Sequence, residues 1–344
     1  MVKLKASYGL VGNDQIGGDR RFIYNETVIG GGKYYFGTTP SQYTSVRLGE
    51  FPNPNVGWEK AKKLNLGADL SFFNQLNISV DYFKENREGI FLQRKSIPMY
   101  VGLSTKPWVN IGKMRNSGID ASLEYHQPLG KDLHLTVRGN FTYARNRIMD
   151  QDEPDYAYTY MNHSGQMQWQ KFGLVAAGLF QDQEDIDSWA EQSFGEVKPG
   201  DIKYLDLNGD GIVDNYDTKP IGYSDIPEIV YGFGFSLQWK AFDLSAFFQG
   251  VAHVSFSTLT DQTQAFVGRN LKESSVFADL YGNTWTPENP GAKYPRMTTG
   301  AIDNNNQLST FWMANGRYLR LKNLELGYTL PKRIANKIAM QSLR

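Results

Sequence analysis

The chain has 344 residues, with 36 Lys+Arg balanced by 36 Asp+Glu, no cysteine, 34 glycines and 14% aromatic residues. The zero formal charge gives no field to attract phosphate backbones, and no Lys/Arg-rich stretch offsets it, so nucleic acid is excluded as a partner. Without cysteine there is no disulfide, thiolate metal site or cysteine nucleophile, and the 40% hydrophobic content is too rich for a disordered chain.

The length suits one large all-β domain or two ordinary ones. No stretch reaches the about 18 apolar residues of a membrane-crossing helix; the most apolar piece is Gly173 to Phe180. The start, Met1 to Tyr8, alternates apolar and polar residues where a signal peptide would show a basic tip and an apolar block. The expectation is therefore a chain that stays in the cell, or a piece of something longer.

In chain order, the dominant period is two, which sends alternate side chains of an extended chain to opposite faces. Leu64, Leu66, Ala68, Leu70 and Phe72 alternate with polar residues, and after a Phe73-Asn74-Gln75 turn Leu76, Ile78, Val80 and Tyr82 do the same. A second hairpin sets Ile119, Ala121, Leu123 and Tyr125 against Leu133, Leu135, Val137, Phe141 and Tyr143 across Pro128-Leu129-Gly130. A third pairs Tyr231, Phe233, Phe235, Leu237 and Trp239 with Phe242, Leu244, Ala246 and Phe248 across Lys240-Ala241. Near the end, Leu319 and Leu321 give way to Leu324, Leu326, Tyr328 and Leu330, a phase slip that predicts a β-bulge at Lys322-Asn323.

Between the hairpins run long polar stretches: 12–56, 89–113, 150–171, 182–200 and 254–315. Short turns at one end and long loops at the other are the layout of an all-β, transmembrane, antiparallel up-and-down barrel. A soluble β-sandwich or propeller alternates in the same way. The aromatic crowding at strand ends (Phe72-Phe73, Tyr82-Phe83, Tyr125, Tyr143, Trp239, Phe242) favours the barrel, and the lack of fixed-length repeats argues against a propeller.

The sharpest local motif is the loop 206–217. Asp206, Asn208, Asp210, Asp214 and Asp217 offer side-chain oxygens at positions one, three, five, nine and twelve, Ile212 a carbonyl at seven, and Gly211 the sharp turn at six. That spacing predicts a structural Ca2+ site; Asp217 stands where an EF-hand has the longer Glu, and the plain alternative is a solvated acidic turn. His126, His134, His163 and His253 lack metal-ligand spacing. His163-Ser164 alone does not make a hydrolase triad, and Gly30-Gly31-Gly32 lacks the Lys and helix of a phosphate loop.

Several segments carry a more specific signal. Tyr318-Leu-Arg-Leu-Lys-Asn-Leu-Glu-Leu-Gly-Tyr-Thr-Leu-Pro331 resembles the hallmark strand near the carboxyl end of the SusC/RagA family of TonB-linked outer-membrane proteins. Leu4 to Asn13, Trp58-Glu-Lys, Val80 to Lys84, Asn110 to Ile119, Gly178-Leu-Phe180, Pro199 to Tyr204, Phe242 to Gly250, Trp285 to Pro290 and Tyr294-Pro-Arg296 agree in the same order. They span essentially the whole chain, 1–344, as a fragment of the later barrel without the plug. The resemblance implies no enzymatic step. It implies TonB-dependent import of an oligosaccharide or peptide across the outer membrane, with a SusD-like surface lipoprotein, energy from the TonB complex acting through the plug, and lipid around the barrel. On this reading Trp108, Tyr156, Tyr158, Tyr160, Trp169 and Trp312 are candidate contacts to sugar or to the lipoprotein; loop packing or girdle anchoring is the alternative for each. A soluble or surface-exposed β-rich, calcium-stabilised binding protein is the rival reading; it requires a second protein layer over the apolar strand faces.

Overall fold

The computed structural model describes residues 1–16, 18–103, 105–260, 276, 278–298, 300–338 and 340–344. Eight long strands form one sheet: β1 (Val2–Asn13), β2 (Glu59–Phe72), β3 (Leu76–Gln93), β4 (Trp108–Pro128), β5 (Leu133–Asp150), β6 (Ile229–Trp239), β7 (Phe242–Ala252) and β8 (Tyr318–Tyr328). They lie in sequence order and every neighbouring pair is antiparallel, so the sheet is an up-and-down meander.

The turn chemistry explains the tight end. Phe73 and Asn74 both take positive φ, 54° and 55°, and Gln75 N–H donates to the Phe72 carbonyl at 3.0 Å, closing a two-residue hairpin of the kind whose twist matches the strands. Gly130 at φ 94° and Lys240 at φ 54° serve the other two tight turns. The expected bulge is present: Phe247 faces Asn323 while Phe248 faces Leu321, leaving Lys322 unpaired.

The strands outrun the lengths read from periodicity. β3 continues to Gln93 and β4 begins at Trp108, so both ends of the stretch expected as a 89–113 loop are paired backbone. Hydrogen bonding continues where the side chains turn polar, and there the alternation that marks a half-buried strand fades. The stretch 12–56 likewise carries its own hairpin, Val28–Phe36 with Ser41–Leu48.

The buried core is not in the sheet. It lies among the long connections at the end opposite the tight turns, where Leu174, Leu179, Ile202, Tyr204, Val213, Trp285 and Trp312 pack together. Several buried polar groups tie this lobe together, although Trp285 Nε1, Asn304 Oδ1 and Ser309 Oγ are buried without a hydrogen-bond partner among the described residues. Asp201, fully buried, accepts from the Arg296 guanidinium at 3.0 Å and from Asn305 Nδ2 at 2.8 Å, while Asn305 Oδ1 accepts from Ile202 N–H at 2.8 Å. Tyr204 Oη donates to the Asn304 carbonyl at 2.8 Å, so three separated segments are tied into one body. Of the stretch 254–315, residues 261–275, 277 and 299 lie outside the described residues.

Candidate functional site

Register turns the alternation of single strands into two faces of a wall. On one face, directly opposed residues form unbroken apolar rows. One runs Leu4, Ala68, Val80, Ala121, Phe141, Tyr231, Gly250, Leu319; the next runs Leu70, Ile78, Leu123, Gly139, Phe233, Phe248, Leu321. Among the described residues no protein layer covers them: Leu4 is 79% exposed, Phe233 45% and Leu319 53%. On β5 the apolar phase extends from Leu133 to Tyr143, ten residue steps or about 33 Å of strand, and a tilt of about 40° makes that a band about 25 Å tall. Tyr82 and Tyr143 mark its loop-side edge, Trp239, Phe242 and Tyr328 its turn-side edge, as an interfacial girdle would.

The opposite face is polar and internally paired. Lys5 Nζ lies 2.7 Å from Asp69 and 3.2 Å from Asp81, Lys63 3.3 Å from Glu85, and Thr142 Oγ1 donates to Asp120 at 2.7 Å. Such half-exposed ion pairs contribute little stability individually. Together they give a hydrated wall.

The 206–217 loop folds around its own backbone. Asp206 accepts from Gly209 N–H at 2.6 Å and Gly211 N–H at 2.8 Å, Asn208 Oδ1 from Asp210 N–H at 2.9 Å, and Asp210 Oδ1 from Ile212 N–H at 2.9 Å. Gly211 takes φ 87°, the left-handed turn expected at position six. Burial works against the charged form of Asp206, yet the Gly211 and Gly209 N–H groups hold its carboxyl below the ordinary carboxylate value. Asp214 caps the short helical turn at 215–217 through Tyr216 N–H, and buried Asp217 accepts from Leu207 at 2.6 Å and from Asp214 at 2.8 Å. A carboxylate offers about four lone-pair sites, and Asp206 and Asp210 each use two here, so oxygen capacity remains for a cation. Among the described residues, no three His, Cys, Asp or Glu side chains converge as a metal-binding group.

The six aromatics singled out in sequence separate in space. Tyr158 and Tyr160 stack at 5.3 Å and 6°, and Tyr216, which the sequence reading left out, packs edge-on to Tyr158 at 6.1 Å while its carbonyl accepts from Tyr160 Oη at 2.7 Å. These rings brace the acidic loop. Burial, then the negative charge of Asp217, pushes the Tyr160 phenol above its ordinary value. Tyr156 leans on His163, whose ring stacks on Phe172 at 4.0 Å; burial lowers the His163 pKa, with Glu153 opposing. Trp108 is already engaged, with Phe91 stacked at 5.4 Å and the Arg20 guanidinium over its ring at 4.1 Å. Trp169 is 64% exposed at φ 65°. Trp312 corrects the expectation: it is 2% exposed inside the lobe core with Nε1 on the Asn305 carbonyl at 2.8 Å, so it packs the loops and has no open face for a ligand.

The wall also holds a cavity of about 370 Å³ at its loop-side rim, on the polar face. Glu85, Asn116 and Asn146 stand side by side in one row of β3, β4 and β5, and Arg87 stands beside Met114 in the next row. Gln168 and Glu228 close it from the connections. None of these residues stands out in the sequence, and strand register brings those of β3, β4 and β5 together.

A family model described as TonB dependent receptor-like, beta-barrel matches residues 12–343. The TonB-dependent receptor P3 of Formosa agariphila is 29% identical over 99% of this chain and 34% of its own length. The TonB-dependent receptor SusC of Bacteroides thetaiotaomicron is 25% identical over 95% of this chain and 31% of its own. Among solved structures, the RagAB peptide importer in its open-open state superposes with a TM-score of 0.70 at 22% identity, covering 97% of this chain and 34% of that one. The chain thus spans about a third of the length of the curated relatives it matches.

Proposed function

This chain belongs to the TonB-dependent receptor-like β-barrel family, and on that premise we propose that the protein carrying it imports a nutrient, an oligosaccharide or a peptide, across the outer membrane. Import is driven through TonB and shared with a SusD-like surface lipoprotein that closes over the cargo. The observation that carries the reading is the apolar face running uncovered through all eight strands, backed by a hydrated face. Lipid is the solvent such a face requires, because an aqueous setting would leave a contiguous apolar surface far beyond what soluble proteins expose. Similarity to the TonB-dependent receptor SusC supports the transporter reading, and the likeness in fold to a peptide importer is compatible with a peptide cargo.

The test is fractionation of the full-length gene product in its native cell, then detergent purification and identification of what co-purifies. Recovery from the outer membrane with a SusD-like lipoprotein supports the importer. Recovery as a soluble, solitary protein overturns it in favour of a binding protein.

We also propose that the 206–217 loop takes a structural calcium ion through Asp206, Asn208, Asp210, Ile212, Asp214 and Asp217, supported by the spacing and by the oxygen capacity left on Asp206 and Asp210. Its role is to hold the loop lobe, since no reacting group lies beside it. Calorimetry on the purified full-length protein is expected to show calcium uptake that Asp210→Ala abolishes; no heat in the unsubstituted protein would refute the site.

A further inference from the structure

The rim cavity has a chemistry of its own. Its polar lining sets three carboxamides, Asn116 and Asn146 adjacent in one row and Gln168 entering from the connection above, beside Glu85, Arg87, Ser224 and Glu228. Asn146 Oδ1 accepts from Gln168 N–H at 2.6 Å, and that is the one hydrogen bond these three side chains make among the described residues. The Asn146 Nδ2, both ends of the Asn116 amide and the Gln168 amide are therefore left to solvent or to a ligand. A carboxamide offers donor and acceptor together, the pairing that a peptide bond presents in reverse.

The charges nearby are already matched. Arg87 donates to Glu85 at 2.9 Å, and Glu228, 4% exposed, sits 3.1 Å from both Arg145 and His253. The cavity consequently selects for hydrogen bonding more than for net charge. Met114, Met167, Ala144, Ile226 and Pro227 supply its apolar surface, and among the described residues no aromatic ring lines it. A pyranose ring gains much of its affinity by laying its C–H face on an aromatic side chain, and this site offers none. A peptide backbone needs no such platform.

Resting on the importer reading above, we propose that this cavity is a peptide subsite on the inner wall of the barrel. Asn116, Asn146 and Gln168 bond the amides of an extended backbone there, so recognition is tolerant of peptide sequence. Neutral backbone amides are the recognised groups, and side chains of the cargo project away from the wall.

The experiment uses the full-length protein purified in detergent, with tetra-alanine and maltotetraose as probes in calorimetry. Two variants are compared with the unsubstituted protein: the double change Asn116→Ala with Asn146→Ala, which removes the amides, and Ala144→Leu, which narrows the cavity while keeping them. Tetra-alanine is expected to bind, maltotetraose not, and each variant to weaken tetra-alanine binding, the double change by about thirtyfold for two lost hydrogen bonds. Tetra-alanine binding unchanged in both variants would overturn the site while leaving the importer intact. Maltotetraose binding that the variants weaken would overturn the peptide assignment. Failure of both probes to bind a protein recovered from the outer membrane also overturns the subsite, whereas recovery of a soluble protein removes the reading beneath it.

Discussion

Two adjacent residues on β4 put the wall's orientation to a direct test. Leu123 stands on the uncovered apolar face between Ile78 and Gly139, and Ser122 on the polar face between Ser79 and Asn140. Toward the turns, the next residue on Leu123's face that is polar is Gln127, four positions away or about 13 Å of strand. A guanidinium placed at Leu123 is thus held in hydrocarbon with no side chain opposite at Gly139 to shield it. Arg near the bilayer midplane of a barrel costs about 2 to 4 kcal/mol, and 3 kcal/mol is more than a hundredfold in the folding equilibrium. Ser122→Arg faces hydrated Asn140 and Ser79 and is expected to cost under about 1 kcal/mol. Urea unfolding of the full-length protein from lipid vesicles measures both. Equal losses, or a larger loss for Ser122→Arg, would refute the assignment of the faces.

The lobe invites three further experiments. Trp312→Ala should destabilise the loop lobe by about 3 to 5 kcal/mol, since it empties a 2%-exposed site and frees the Asn305 carbonyl, and faster proteolysis confined to the lobe would report it. Asp201→Ala leaves the Arg296 guanidinium and Asn305 amide buried without their acceptor and is expected to cost about 3 to 5 kcal/mol by the same assay, more than removal of the exposed Lys293–Asp279 pair. Burial favours neutral His163, so its folded pKa lies below the ordinary 6.5; the stability it contributes is full above 6.5 and is lost as pH falls through the lower folded value. Lobe proteolysis should accordingly accelerate below pH 6.5, and His163→Gln should flatten that dependence.

Sequence alone determined what depends on near neighbours along the chain. Leu64 to Phe72 alternate because an extended backbone has a two-residue repeat, so the strand and its apolar face are written in nine consecutive residues. Phe73-Asn74 and Lys240-Ala241 announced tight turns, and the phase slip before Leu324 located the bulge at Lys322. The sharp turn at Gly211 in the acidic loop was legible for the same reason, because a glycine at that position is what a left-handed backbone requires. What tertiary structure decided depends on register and on contacts distant in the chain. Nothing local links Glu85 to Asn116 and Asn146, which meet because the ladder hydrogen bonds fix three strands against one another. Nor does any period announce that Trp312, Tyr204 and Leu174 share a core, because irregular backbone turns each side chain by its own φ and ψ. Trp312 therefore stood open between ligand contact and loop packing until segments some hundred residues apart closed around it, tied through Tyr204 to Asn304.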